Sequence, residues 1–241
     1  MFTVAATLTI ASAILYCSWP LGFWLNPAAQ RAGLASELGA IGQPYNWVFI
    51  GGDVVSGALL VLAITLLIKM YKFEKWAKVA LILLAIYGVC GALDAALPMT
   101  CLPSEQACGS VFSSPMLVMH GVFDIMGSVA LFVTLVAAAL HVHMYSRQWR
   151  TWIYAIGVAG TLFALLSGVL YIWNGPGYWA QRYYITLSCV WVASMPFVLR
   201  PKIKNAMRSN MRTVDTVDVG FLQPLPGKQD GPGLAFGEPE T

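Results

Sequence analysis

Six stretches of mostly apolar residues divide this chain, and they dictate the solvent it must fold in. A hydrocarbon layer about 30 Å thick needs about 20 apolar residues of helix to cross it. The stretches at about 2–24, 46–69, 77–98, 115–140, 151–173 and 177–199 each meet that length. Every backbone N–H and C=O inside lipid must be paired within its own segment, which helices rich in Leu, Val, Ala and Ile achieve. The ten-residue alternation of a transmembrane β-barrel is absent. Composition agrees: 58% of the 241 residues are hydrophobic and 10% are charged, where a soluble domain carries about 25% charge. The same counts exclude a disordered chain, a collagen-like one and a disulfide-rich mini-protein. The sequence predicts an all-α polytopic membrane protein, with a six-helix transmembrane domain over residues 1–204.

Basic residues set the orientation, because cytoplasmic connections carry the excess of Lys and Arg. Lys69, Lys72, Lys75 and Lys78 follow the second stretch, Arg147 and Arg150 the fourth, and Arg200, Lys202, Lys204, Arg208 and Arg212 the last. The other connections hold only Arg31, with Arg182 at the start of the sixth stretch. Alternate connections are thus basic, which predicts both termini on the cytoplasmic side. The first stretch lacks a basic leader and exceeds the usual apolar run of a signal peptide, so it reads as a retained helix. Trp19, Trp24, Tyr45, Trp47, Tyr178 and Trp179 are among the aromatic residues expected to anchor helix ends at headgroup level. Residues 205–241 mix Pro and Gly without apolar period and read as a disordered cytoplasmic tail.

Ionisable groups inside a membrane are costly and mark the first place to look for function. Asp53, Asp94, His120, Asp124 and Arg182 all fall in the outer half of the predicted spans, within roughly 6–14 Å of the outer surface at about 1.5 Å per residue. His120 and Asp124 stand four apart and share a helix face, which Ser128 continues. These groups predict one polar cluster open to an outer cavity, and three readings of it stand. It is a self-satisfied network, with Arg182 paired to Asp53 or Asp94 and His120 to Asp124. It is a catalytic site in which His120, with Asp53, Asp94 and Asp124, acts as general base or metal ligand. Or it binds or transports a polar ligand, to which Arg182, Ser36 and Glu37 contribute. The usual zinc spacings, phosphate-cradling loops and nucleophile elbow are absent. Metal and cofactor are therefore left unknown. His141 and His143 read as residues of the inner interface.

Cys101 and Cys108 share one short outer connection, where an oxidising compartment favours a disulfide between them. Cys17, Cys90 and Cys189 lie within spans and read as packing residues.

The run Ser36-Glu37-Leu38-Gly39-Ala40, then Gly42-Gln43-Pro44, Gly52-Asp53 and Gly57, is followed by Asp94-Ala95-Ala96-Leu97-Pro98. With Cys101, Cys108, His120 and Gln181-Arg182 this pattern resembles the bacterial membrane-protein family labelled "domain of unknown function 998", over about residues 5–200. The resemblance implies a six-span protein of the bacterial cytoplasmic membrane whose activity is unknown, with the Pro/Gly tail as an addition. The expectation is a protein that handles a lipid or small polar ligand at the outer leaflet. A membrane-embedded hydrolase or transferase is the alternative, and a structural or partner-binding protein the other. Membrane lipids are the expected partners, nucleic acid is not, and protein partners are unspecified.

Overall fold

The computed structural model describes residues 1–102, 114–172 and 178–199, and only the backbone of residues 31, 32, 171 and 172. All of them fall within one unit of the chain, Met1–Ile203. The expected tail at 205–241 lies outside the described residues, as does Cys108. Helices account for the fold and no strand occurs among the described residues. They are α1 (Phe2–Tyr16), the short α2 (Gly22–Leu25) and α3 (Pro27–Ala32), α4 (Asn46–Met70), α5 (Lys75–Ala96), α6 (Pro115–Tyr145), α7 (Arg150–Ile172) and α8 (Tyr178–Val198).

Five segments are long and apolar enough to cross a membrane: Phe2–Leu25, Asn46–Met70, Lys75–Ala96, Pro115–Tyr145 and Arg147–Leu170. The chain is a multi-pass membrane protein on that evidence. The sixth expected span corresponds to α8, 21 residues long. It is not among the five, and its opening turns carry Gln181 and Arg182. The first segment is not one straight helix. A 3₁₀ turn at Trp19–Leu21 interrupts it, where Pro20 has no N–H to continue the helical ladder.

The long helices pack as a ring. α4 lies between α1 and α5, α5 against α6, α7 against α8, and α8 closes back on α1. α6 meets α7 over a shorter stretch and scarcely touches α8. Lipid tails are as apolar as Leu, so helices in a membrane associate through close van der Waals packing and interhelical hydrogen bonds. Both devices are present. A Cβ on Gly57 would overlap the Gly88 carbonyl oxygen and stand 2.8 Å from Ala92 Cβ, so α4 and α5 touch backbone to backbone. Across α1 and α4, Ser56 Oγ donates to the Ser12 carbonyl at 2.8 Å and lies 3.0 Å from Ser12 Oγ. Ala77, Ala80, Ala138 and Trp191 are fully buried, small residues at the contacts and one large ring filling the centre.

Residues 26–44 do not hang free between spans. Asn26 caps α3 by accepting from the Ala29 N–H, and its Nδ2 donates to Gln43 Oε1 at 2.6 Å. The Ile41 N–H donates to the Met99 carbonyl at 2.9 Å, tying the segment to the end of α5. Leu38 and Ala40 are fully buried beneath it. The turn into α4 uses left-handed backbone at Gly42 (φ 86°) and, unusually for a side chain of its size, at Tyr45 (φ 56°). His141, read as a residue of the inner interface, is buried near the C-terminal end of α6, which continues to Tyr145.

Forcing a Cβ between α4 and α5 overpacks a contact that has no side chain to yield, a cost of about 1–3 kcal/mol. Gly57→Ala is therefore expected to lower Tm in detergent by about 5 °C, as read by intrinsic fluorescence, whereas Gly51→Ala, whose Cβ meets nothing within 4 Å, does not lower it.

Candidate functional site

A helix leaves its last carbonyls without intrahelical partners. At the end of α5 the partner comes from α6. His120 Nδ1 lies 3.1 Å from the Asp94 carbonyl, 3.1 Å from the Leu97 carbonyl and 3.0 Å from Asp94 Oδ1. All three neighbours are acceptors, so the hydrogen-bond network assigns a proton to Nδ1. Nδ1 is within reach of both carbonyls, and Asp94 Oδ1, buried, lies 3.0 Å from it without a well-aligned hydrogen bond. Nε2 is left as the ring nitrogen for other chemistry.

This tether stands at the edge of a cavity of about 100 Å³. Asp53 from α4, Asp94 from α5, and His120 and Asp124 from α6 all line it. Asp53 is half-buried and Asp124 exposed, which puts Asp124 at the cavity's open side. The floor is Tyr16 and Tyr87, whose rings meet edge to face at 5.9 Å. On the α8 side, the Tyr184 hydroxyl donates to Ser128 Oγ at 3.4 Å. The roof is the 3₁₀ turn Ala35–Gly39, from which Ala35, Ser36 and Gly39 face the cavity. That turn is pinned to α8 by the Ala35 N–H, which donates to Gln181 Oε1 at 2.7 Å.

Two expected site residues stand elsewhere. Arg182 and Glu37 are each 1% exposed and neither lines the cavity. Arg182 Nη2 donates to the Gly33 carbonyl at 3.0 Å. The guanidinium faces the rings of Tyr178, Trp179 and Trp19 at 5.3, 5.3 and 5.6 Å. Such cation–π contacts are each worth about 0.5–2 kcal/mol. The anticipated pairing of Arg182 with Asp53 or Asp94 is not formed among the described residues. The register of α8 turns Gln181 and Tyr184 toward the cavity and Arg182 toward the 26–44 segment. His120 likewise pairs across to Asp94 rather than along its own helix to Asp124. Trp19, Tyr178 and Trp179, read as interface anchors, thus also hold a buried cation.

No three His, Cys, Asp or Glu side chains among the described residues stand close enough to hold one metal ion. No two described cysteines stand at disulfide distance, and the pairing expected of Cys101 with Cys108 falls outside the described residues. Cys101 packs against the Ala40, Met99 and Leu117 cluster under the roof. Sequence reasoning missed Tyr16, Tyr87 and Tyr184. Tyr16 and Tyr87 sit inside predicted spans, away from the headgroup level that an anchoring Tyr prefers, and that depth was the available signal.

A family model described as "Protein of unknown function (DUF998)" matches residues 9–197. No curated protein and no solved structure matches the chain.

Arg182→Lys keeps the charge but loses the planar fork and the ring stacking. It is expected to free the roof by about 1–3 kcal/mol, read as roughly tenfold faster hydrogen exchange or more at the amides of residues 33–40, with exchange at the centre of α5 unchanged.

Proposed function

We propose that this chain, which belongs to the DUF998 family of proteins of unknown function, holds a lipid or small polar ligand in the cavity between α4, α5, α6 and α8, on the outer side of a bacterial cytoplasmic membrane. The proposal includes α8 as a sixth span and both termini in the cytoplasm. The aromatic belt around Arg182 supports α8 as a span, because it covers a guanidinium that would otherwise meet lipid. The lysines between α4 and α5 support the orientation.

One observation carries the ligand reading. Asp53 and Asp124 line the cavity with His120 and Asp94, and no ion pair among the described residues engages either of them. Ionisable groups kept inside a membrane without mutual pairing are costly, and a ligand that donates to them offsets that cost. A purely self-satisfied network would have consumed them, as His120 consumes one face of Asp94.

A second reading has its own support. With Nδ1 committed to the end of α5, a neutral His120 presents Nε2 as an acceptor in a fixed orientation, the arrangement a general base needs. A hydrolase or transferase acting at the outer leaflet would take a proton from water or a ligand hydroxyl there, with Asp94 holding the imidazole.

Two measurements test these readings. A membrane-impermeant maleimide applied to intact cells is expected to label Trp47→Cys and not Lys72→Cys; the reverse pattern overturns the orientation. For the site, the protein is purified from a native lipid extract and its bound molecules are identified by mass spectrometry. Wild type is expected to retain a stoichiometric molecule that Asp53→Asn and Asp124→Asn lose by tenfold or more. Retention in both variants removes the ligand reading. If His120→Asn, which keeps a donor for the α5 carbonyls, accumulates the molecule while wild type converts it, the catalytic reading prevails.

A further inference from the structure

The polar cavity, at about 100 Å³, is well below the roughly 300–1,000 Å³ of a site that encloses a whole small molecule. It has room for a polar head and little more. What lies beside it is therefore decisive. Across the weak α6–α8 seam the wall is thin: Tyr184, bonded to Ser128, stacks its ring on Phe132 at 6.1 Å. On the far side of Phe132 an apolar groove of about 440 Å³ runs between α6 and α7, bordered by Leu135, Ala139, Ile153 and Leu162. Thr161 lies in this groove, but its hydroxyl is spent on the Gly157 carbonyl at 2.7 Å.

Gly157 is the telling residue. A helix-interior glycine costs about 1 kcal/mol relative to Ala. At Gly57 the cost is offset by backbone contact between helices, as described above. At Gly157 a Cβ would meet nothing within 4 Å, and the same holds at Gly160. No described part of the protein fills the space in front of Gly157, which lines the groove. From Asp124 to Ala139 the path along α6 is about 22 Å at about 1.5 Å per residue, most of a hydrocarbon layer about 30 Å thick. It begins polar and ends apolar.

Resting on the ligand reading above, we infer that cavity and groove are the two halves of one amphiphile site. The head enters among Asp53, Asp94 and Asp124, and a single chain passes Phe132 to lie along Gly157. The lining also selects the head. It offers three carboxylates and several hydroxyls, the imidazole's Nδ1–H is already used, and no Lys or Arg among the described residues lines the cavity. The site takes a phosphate-free head that donates hydrogen bonds, an amine or a polyol, and repels a phosphate.

The full chain in nanodiscs is titrated with oleylamine, 1-oleoylglycerol and oleyl phosphate, which share one chain, and with hexylamine as a head with a short chain. Binding is read by native mass spectrometry. Oleylamine and 1-oleoylglycerol are expected to bind at least tenfold more tightly than oleyl phosphate. Gly157→Leu, whose Cβ enters open space and which does not lower Tm, weakens oleylamine at least tenfold and hexylamine not at all. Asp53→Asn weakens both amines. Oleyl phosphate binding as tightly as oleylamine overturns the head assignment. If Gly157→Leu leaves oleylamine binding intact, the groove is no part of the site, and hexylamine binding that still depends on Asp53 preserves the ligand reading alone. If neither amine responds to Asp53→Asn, that reading falls as well.

Discussion

The backbone contact between Gly57 and Gly88 governs the geometry of the polar layer. In a membrane no difference in hydrophobicity between lipid and side chain presses helices together, so the separation of α4 and α5 is set by how closely their surfaces fit. With hydrogen atoms in place of side chains, the two backbones meet directly, and Ala92 packs into the same contact. Asp53 lies one turn from Gly57 on α4, and Asp94 lies just beyond Ala92 on α5. The close approach therefore brings two carboxylates from different helices to one cavity. Larger residues at the contact would push the acids apart and open the space between them.

The second tie is made from backbone as much as from side chain. α5 ends with carbonyls that need donors, and His120 supplies one while drawing α6 against that end. A single imidazole thereby does structural and electrostatic work together: it closes the ring of helices between α5 and α6 and fixes its own tautomer. The roof is held on the opposite side by Gln181 and Arg182, adjacent residues that serve different surfaces because consecutive positions on a helix point about 100° apart. Gln181 meets the Ala35 N–H above the cavity, and Arg182 meets Gly33 away from it.

The ring is unequal around its circumference. It is tight from α1 through α4 and α5 to α6, and loose where α6 faces α7 and α8. The tight arc carries Gly57, Gly88 and the Ser12–Ser56 bond. The loose arc carries Gly157 and Gly160, with open space in front of them. One residue type thus serves opposite ends in one bundle, sealing one seam and hollowing the other. The polar cavity lies at the junction of the two arcs, closed on the α5 side and thinly walled on the α8 side.

Much of this was legible in the chain itself. Apolar run length and the requirement to pair every backbone group in lipid identify membrane-spanning helices, and their observed ends fall within a few residues of the predicted ones except at α1, which stops at Tyr16 before the Trp19–Leu21 turn, and at α6, which runs on to Tyr145. Depth along those helices was enough to group Asp53, Asp94, His120 and Asp124 in one layer, because rise per residue is a property of the helix alone. Rotation about the helix axis is not. Which way α8 turns, and hence that Arg182 serves the roof while Gln181 and Tyr184 face the cavity, depends on what α8 packs against. The pairing of His120 with Asp94 rather than Asp124 depends on where α5 happens to end. The folding of residues 26–44 into a roof depends on donors and acceptors scattered from Asn26 to Gln181, whose meeting no local pattern announces. Sequence determined the helices and the depth of each charged group, since both follow from spacing along one chain. Tertiary structure decided which of those groups face one another, since that follows from helix rotation and close packing, which only neighbouring helices can set.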